Sequence, residues 1–254
     1  MPKQLLFEFM DELAIPQELP QKQRPPQLVK PTDITFFLTT YLPEYKEDIL
    51  GGKLSEGAFN MPCLAPVHDI KPELLVPFNA VMSLKPQQKT SSFPFFHFFI
   101  HDYQFERLWS NPTPYVPFLK SLNRGIGPDH SMFHYMHPSE LLINCCRNRM
   151  MAFFLQRQGV LLIPNACFGR ENTLQWAFDG LPENSVLATG SISCMEDGMV
   201  KRSFLNGLHE LDRKKHPEIL YVYGEFPEEW KDKFKMEIRT LPTFTAKWRR
   251  CNNG

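Results

Sequence analysis

From about Leu75 to Thr240 one pattern repeats: a short apolar run, then a longer segment in which apolar and polar positions alternate with helical spacing. Strands and helices succeeding one another leave this trace in a sequence. The apolar runs predict strands over Val76–Leu84, Gly125–Pro128, Val160–Asn165, Ser185–Gly190, Glu218–Gly224 and Met236–Thr240. The segments between them predict helices over Tyr103–Trp109, Pro114–Leu122, Ser139–Gln158, Asn172–Phe178, Met195–Lys214 and Pro227–Phe234. Strands joined through helices pair in parallel. The expected fold class is therefore α/β: a mostly parallel sheet with alternating helices, either an open sheet or a partial barrel.

The longest helix has the sharpest boundaries, with Pro138-Ser139-Glu140 suited to a start and Gly159 to a left-handed stop. Leu141, Leu142, Cys145, Met151, Phe154 and Leu155 are expected on its inner surface, with Asn144, Arg147, Asn148, Arg149 and Gln156 lying partly elsewhere. The first sixty residues differ. Pro16, Pro20, Pro25, Pro26, Pro31 and Pro43 recur too closely for long helices or central strands. Apolar patches at Leu5–Met10 and Ile34–Leu42 still give this stretch something to bury. It reads as an irregular proline-rich arm over 1–60, docked on the body or on a protein partner, ahead of an α/β domain over 61–254.

Composition narrows the functional classes. With 43% hydrophobic residues and 22 Phe, the chain is built to pack a core. Lys+Arg and Asp+Glu both number 28, so no net field draws the whole molecule to nucleic acid or to an anionic surface. Runs such as Gly159–Pro164 and Phe93–Ile100 are too short to cross a bilayer, and acidic residues interrupt the N-terminus where a signal peptide needs apolar ones. No membrane association and a cytoplasmic location are expected. None of the six cysteines forms a C-x-x-C pair, so free thiols are expected.

In parallel sheets, ligands meet the carboxyl ends of strands, where loops and free N–H groups gather. Four segments stand there: Pro128-Asp129-His130-Ser131, Pro164 to Arg170, Gly190 to Cys194, and Tyr223-Gly224-Glu225. Asp129 is the candidate general acid or base, with Ser131, Arg147, Asn165 and Ser191 as candidates for holding an anionic ligand. Asp102, Arg149 and Gly224 are candidates for supporting the site. Plain alternatives stand beside each: Asp129 and Ser131 as a turn or helix cap, Gly224 as turn geometry, Arg147 in a structural ion pair with Asp102, Glu106 or Asp129. The spacing of His97 and His101, and of His130, His134 and His137, would admit a metal. Without an H-E-x-x-H element or nearby acidic partners, none is assigned. Neither G-x-G-x-x-G, G-x-x-x-x-G-K-[ST] nor G-x-S-x-G occurs, and no cofactor is implied. Lys201, Arg202, Arg213, Lys214 and Lys215, with Lys247, Arg249 and Arg250, form either a nucleic-acid contact or a solvated face.

Several phrases between Phe99 and Pro227 occur together in order. They are Asp102-Tyr-Gln-Phe-Glu-Arg-Leu-Trp109, Pro128-Asp129-His-Ser131, Arg147-Asn148-Arg149, Gln156-Arg-Gln-Gly159, Ile163-Pro164-Asn165 and Val222-Tyr223-Gly224. Over this half of the chain the sequence resembles a bacterial and phage family known only as a domain of unknown function, number four-four-one-seven of that series. The family shows Arg-Trp-Gly where this chain has Cys167-Phe168-Gly169, and it lacks equivalents of His134 and His137. The resemblance implies a phage or mobile-element protein without naming a reaction. Two readings follow: an enzyme acting on a nucleotide or nucleic-acid component through a strand-end pocket, or a non-catalytic protein that docks on a host, replication or virion protein through its arm.

Overall fold

The structure, a computed structural model, describes residues 55–82 and 94–243; most of the expected arm lies outside them. A hairpin of β1 (Ser55–Glu56) and β2 (Met61–Pro62) leads into seven parallel strands. These are β3 (Leu75–Pro77), β4 (Phe95–His97), β5 (Arg124–Ile126), β6 (Leu161–Ile163), β7 (Val186–Gly190), β8 (Ile219–Tyr223) and β9 (Glu237–Leu241). They lie in chain order, β3-β4-β5-β6 and β7-β8-β9. An isolated bridge, Asn165 to Ala188, joins the two sheets in the same parallel sense.

Chain order has a geometric consequence. Right-handed crossovers that always step the same way put every helix on one face and leave the other face to fill itself, so the sheet curls. Alternation along the strands follows. Leu75, Phe95, Ile126, Ile163, Val186, Ala188, Tyr221, Tyr223 and Leu241 form one core on the concave side. Their neighbours Val76, Phe96, Leu162, Leu187, Leu220, Val222 and Ile238 pack outward in a second core with the helices. The curl shows in two contacts. Strands β4 and β8 would stand about 19 Å apart in a flat sheet, yet the rings of His97 and Tyr223 are 4.7 Å apart. Tyr221 of β8 likewise donates to the Ile70 carbonyl ahead of β3, at 3.2 Å. Among the described residues β3 and β9 are not paired, so this is a partial barrel.

The outer layer holds α1 (Phe78–Val81), α2 (Glu106–Ser110), α3 (Val116–Leu122), α4 (Pro138–Arg157) and α5 (Gly198–Lys215). Several predicted elements need correction. The strand expected over Val76–Leu84 stops at Pro77, whose extended backbone caps α1; residues 83–84 lie outside the described ones. The helix expected over Asn172–Phe178 is one 3-10 turn, Glu171–Thr173, where the Thr173 hydroxyl bonds the Arg170 carbonyl and competes with helical pairing. The one over Pro227–Phe234 is 3-10 as well, over Glu228–Lys233. Helix α5 begins later than predicted because the Asp197 carboxylate accepts from Met199 and Val200. Strand β4 was absent from the predicted set: Phe95 and His97 face inward and Phe96 outward, so an all-aromatic run shows no alternation.

Helix α4 also departs from its predicted face. Asn144, Asn148 and Arg149 are buried, because each bonds loop backbone instead of solvent. Asn144 donates to the Ser131 carbonyl, Asn148 bridges the His130 N–H and carbonyl, and Arg149 reaches three carbonyls. Apolar periodicity cannot reveal an inner face built partly from amides and a guanidinium.

Candidate functional site

The tips of β5, β6, β7 and β8 run the same way and lie side by side, so the segments that follow them meet at one mouth of the partial barrel. Asp129 stands just past β5. Asn165, just past β6, points the same way as Ile163 two residues earlier, and its Nδ2 donates to Asp129 Oδ1 at 2.7 Å and to the Pro128 carbonyl at 3.0 Å. Its Oδ1 is buried and has no hydrogen-bond partner among the described residues. From behind, the Arg149 Nη1 fixes the Asn165 carbonyl at 3.0 Å, while its other nitrogens hold Asp179 and Ala177.

Burial pushes the Asp129 carboxyl up to about 6; hydrogen bonds from Asn165 and Cys167 pull it back, and the nearby Asp102 charge adds to the rise. The thiols beside it are held in the neutral form. Burial and the Asp129 charge raise Cys167 well above its ordinary range and Cys194 to about 11, so both stay protonated.

Opposite Asp129 lies an aromatic wall. Phe99 and Tyr223 stack with centroids 4.7 Å apart, and a Cβ placed on Gly190 would sit 3.1 Å from Phe99 and 3.7 Å from Asp129 Oδ2. His97 sits deeper, wholly buried, its ring against Tyr223. The Phe99 N–H donates to its Nδ1 at 3.2 Å, which leaves the proton on Nε2. That Nε2 has no partner among the described residues. Beside the mouth, beyond β8 and β9, a half-open cleft of about 860 Å³ is lined by Met195, Lys201, Gly224, Glu225, Glu228 and Thr240, among others.

The remaining sequence-derived candidates stand apart from Asp129 or are occupied. Ser131 donates through its hydroxyl to Asp102 at 2.8 Å, and its N–H also meets that carboxylate. The buried Ser191 hydroxyl donates to the Glu225 carbonyl at 2.6 Å, tying the tips of β7 and β8 together. Arg147 pairs with Glu106 and lies over the Trp109 ring, on the outer side. Gly224 has φ +118°, and a Cβ there would sit 2.6 Å from Ser191 Oγ. Gly224→Ala is therefore expected to cost about 1–3 kcal/mol, read as a lowered urea midpoint with unchanged slope.

Residues that the sequence reading left out of the site are His97, Phe99, Cys167, Cys194 and Tyr223. Cys167, Cys194 and Tyr223 lie within the strand-end segments that the sequence singles out, whereas His97 ends β4 and Phe99 lies just past it, and β4 does not show as a strand in the sequence. On α5, Arg213 and Lys214 pair with Glu210, Lys215 with Glu56, and Lys201 lies over Trp230. Its basic face is thus largely engaged within the molecule. Among the described residues, no group of three His, Cys, Asp or Glu side chains could hold a metal ion, and no helix is long and apolar enough to cross a membrane.

Residues 54–242 match the family described as Domain of unknown function (DUF4417). The chain is similar to the "Gene 1 protein" of Mycobacterium phage D29, 29% identical over 206 residues that cover 78% of this chain and 73% of the relative. It is also similar to the "Gene 1 protein" of Mycobacterium phage L5, 30% identical over 202 residues, covering 78% and 86%. No solved structure matches.

Proposed function

Since the chain belongs to the family Domain of unknown function (DUF4417), whose description names no reaction, we propose from the site itself that the protein is an enzyme of acid–base chemistry acting on a nucleotide or nucleic-acid component. Asp129 is its proton-transfer group. The observation that supports this reading is one carboxyl, raised to about 6, held by Asn165 at the mouth of the curled sheet. A group with that pKa exchanges a proton in either direction near neutral pH, which an exposed aspartate does poorly. Beside that mouth a cleft of about 860 Å³, lined by Gly224 and Glu225 and not by Asp129 itself, is of a size that takes a nucleotide-sized molecule.

Asn165 positions the carboxylate, and Arg149 positions Asn165. With Ser131, Ser191 and Arg147 engaged elsewhere, the geometry favours proton transfer over an anion clamp. The reading keeps the proline-rich arm over 1–60, the α/β domain over 61–254 and a cytoplasmic setting.

The test is turnover. Purified protein is incubated with nucleotides, single-stranded DNA and RNA, and products are sought by mass spectrometry. Asp129→Asn is expected to lower product formation by about a hundredfold or more while the circular dichroism spectrum is kept. Equal turnover by the variant, or no product from any of these substrates, would overturn the assignment.

A further inference from the structure

Of the five buried side-chain polar atoms that lack partners among the described residues, His97 Nε2 and Asn165 Oδ1 belong to residues that follow the inward alternation of their strands, and they are complementary. His97 Nε2 carries a proton, because its Nδ1 accepts from the Phe99 N–H. Asn165 Oδ1 is an acceptor, because its Nδ2 is committed to Pro128 and Asp129. A buried donor and a buried acceptor left open each cost free energy, on the order of 1–3 kcal/mol. Such groups persist where a bound molecule supplies what is missing.

Their placement narrows what that molecule is. His97 and Asn165 both follow the inward alternation of their strands, and register sets Asn165 about two residues nearer the mouth. Beside them stand the stacked rings of Phe99 and Tyr223 and the Asp129 carboxyl, with Gly190 packed so closely that a Cβ there would sit 3.1 Å from the Phe99 ring. Among the described residues no cation pairs with Asp129: Arg147 is drawn off to Glu106, and the charge that acts on the carboxyl is the negative Asp102. A phosphate would meet carboxylates here.

We propose that the mouth reads the base of its substrate and not the phosphate: a planar nucleobase enters against Phe99 and Tyr223, its edge accepting from His97 Nε2–H and donating to Asn165 Oδ1. The inference rests on Asp129 as the reacting centre and names what that centre faces. Adjacent donor and acceptor atoms on one flat edge are what nucleobases present. Stacking on an aromatic face adds sequence-tolerant affinity.

Uridine, cytidine, adenosine and guanosine are titrated separately against the full chain, with inorganic phosphate and ribose 5-phosphate as comparisons, following the thermal midpoint and calorimetric heat. At least one nucleoside is expected to raise the midpoint, and neither phosphate probe to do so. His97→Phe keeps a ring of similar size and removes the donor, so it should weaken that nucleoside about tenfold or more. Should that variant not fold, Gly190→Ala presses a methyl on the Phe99 ring, displaces the proposed stacking face and should weaken binding likewise. A midpoint raised by phosphate or ribose 5-phosphate alone, by no probe, or equally in both variants and the parent overturns the proposal. Asp129→Asn separates the two readings: retained nucleoside binding with lost turnover supports both. Nucleoside binding with turnover unaffected by Asp129→Asn sinks only the acid–base role, and turnover lost on that substitution without nucleoside binding sinks only this one.

Discussion

Arg149→Leu is expected to lower stability by about 4–6 kcal/mol, a large part of what a protein of this kind has. The guanidinium is almost wholly buried and donates to the carbonyls of Asp179, Asn165 and Ala177 at 2.9, 3.0 and 2.6 Å. Leucine fills the volume, leaves the Asp179 and Asn165 carbonyls without donors and leaves Ala177 only the weak Cys145 thiol donor. The penalty for each orphaned group is about 1–3 kcal/mol. Arg149→Lys keeps the charge but not the planar fork, so it should recover only part of the loss. Urea denaturation of the three proteins decides the matter; a leucine variant within about 1 kcal/mol of the parent would show that these bonds count for little. The same substitution releases the Asn165 carbonyl, so any folded fraction should lose activity more than its folded population accounts for.

Arg149 also shows where the sequence stops being informative. Strands β7, β8 and β9 were readable to within a residue or so because their apolar runs are bounded by turn residues, and α4 because proline and glycine mark its ends. The parallel arrangement followed from alternation with helices. The curl is a consequence of strand order, which becomes visible only once pairing is known. Asp129 and Asn165 were picked out by standing after strand tips, and they do meet. Ser131, Ser191 and Arg147 satisfied the same rule or sat nearby, yet each had a nearer partner: Asp102, the Glu225 carbonyl, Glu106. One sequence carries no record of which competitor wins a hydroxyl or a guanidinium. Phe99 went unnoticed, and His97 entered only through its spacing to His101, because an aromatic run that feeds two cores looks like plain hydrophobic filling; Tyr223 stood in a strand-end segment without a sign that its ring faces inward.

Acidification from pH 7 to pH 5 is expected to remove roughly 2–3 kcal/mol of stability through three buried groups. Burial holds His97 and His130 down to about 3, against an ordinary 6.5; for His130 the Arg147 charge adds to the depression and the Asn148 bond opposes it. Both rings stay neutral when folded and take up a proton when unfolded, so stability is full above 6.5 and falls as the pH drops toward 3. Between pH 7 and 5 that loss is about 2 kcal/mol for each histidine. Asp129 works in the opposite sense. Its folded value, about 6, exceeds its ordinary 3.8, so its charged form strains the fold above 6 and that strain is relieved as the pH falls toward 3.8. It returns roughly 1 kcal/mol over the same interval. Asp129→Asn removes this offset, and the loss on acidification should then steepen to about 4 kcal/mol. Urea unfolding at both pH values, for parent and variant, measures the difference directly. A variant no more acid-sensitive than its parent would mean that the Asp129 carboxyl keeps an ordinary affinity for protons, and with it would go the physical basis for assigning it the catalytic step.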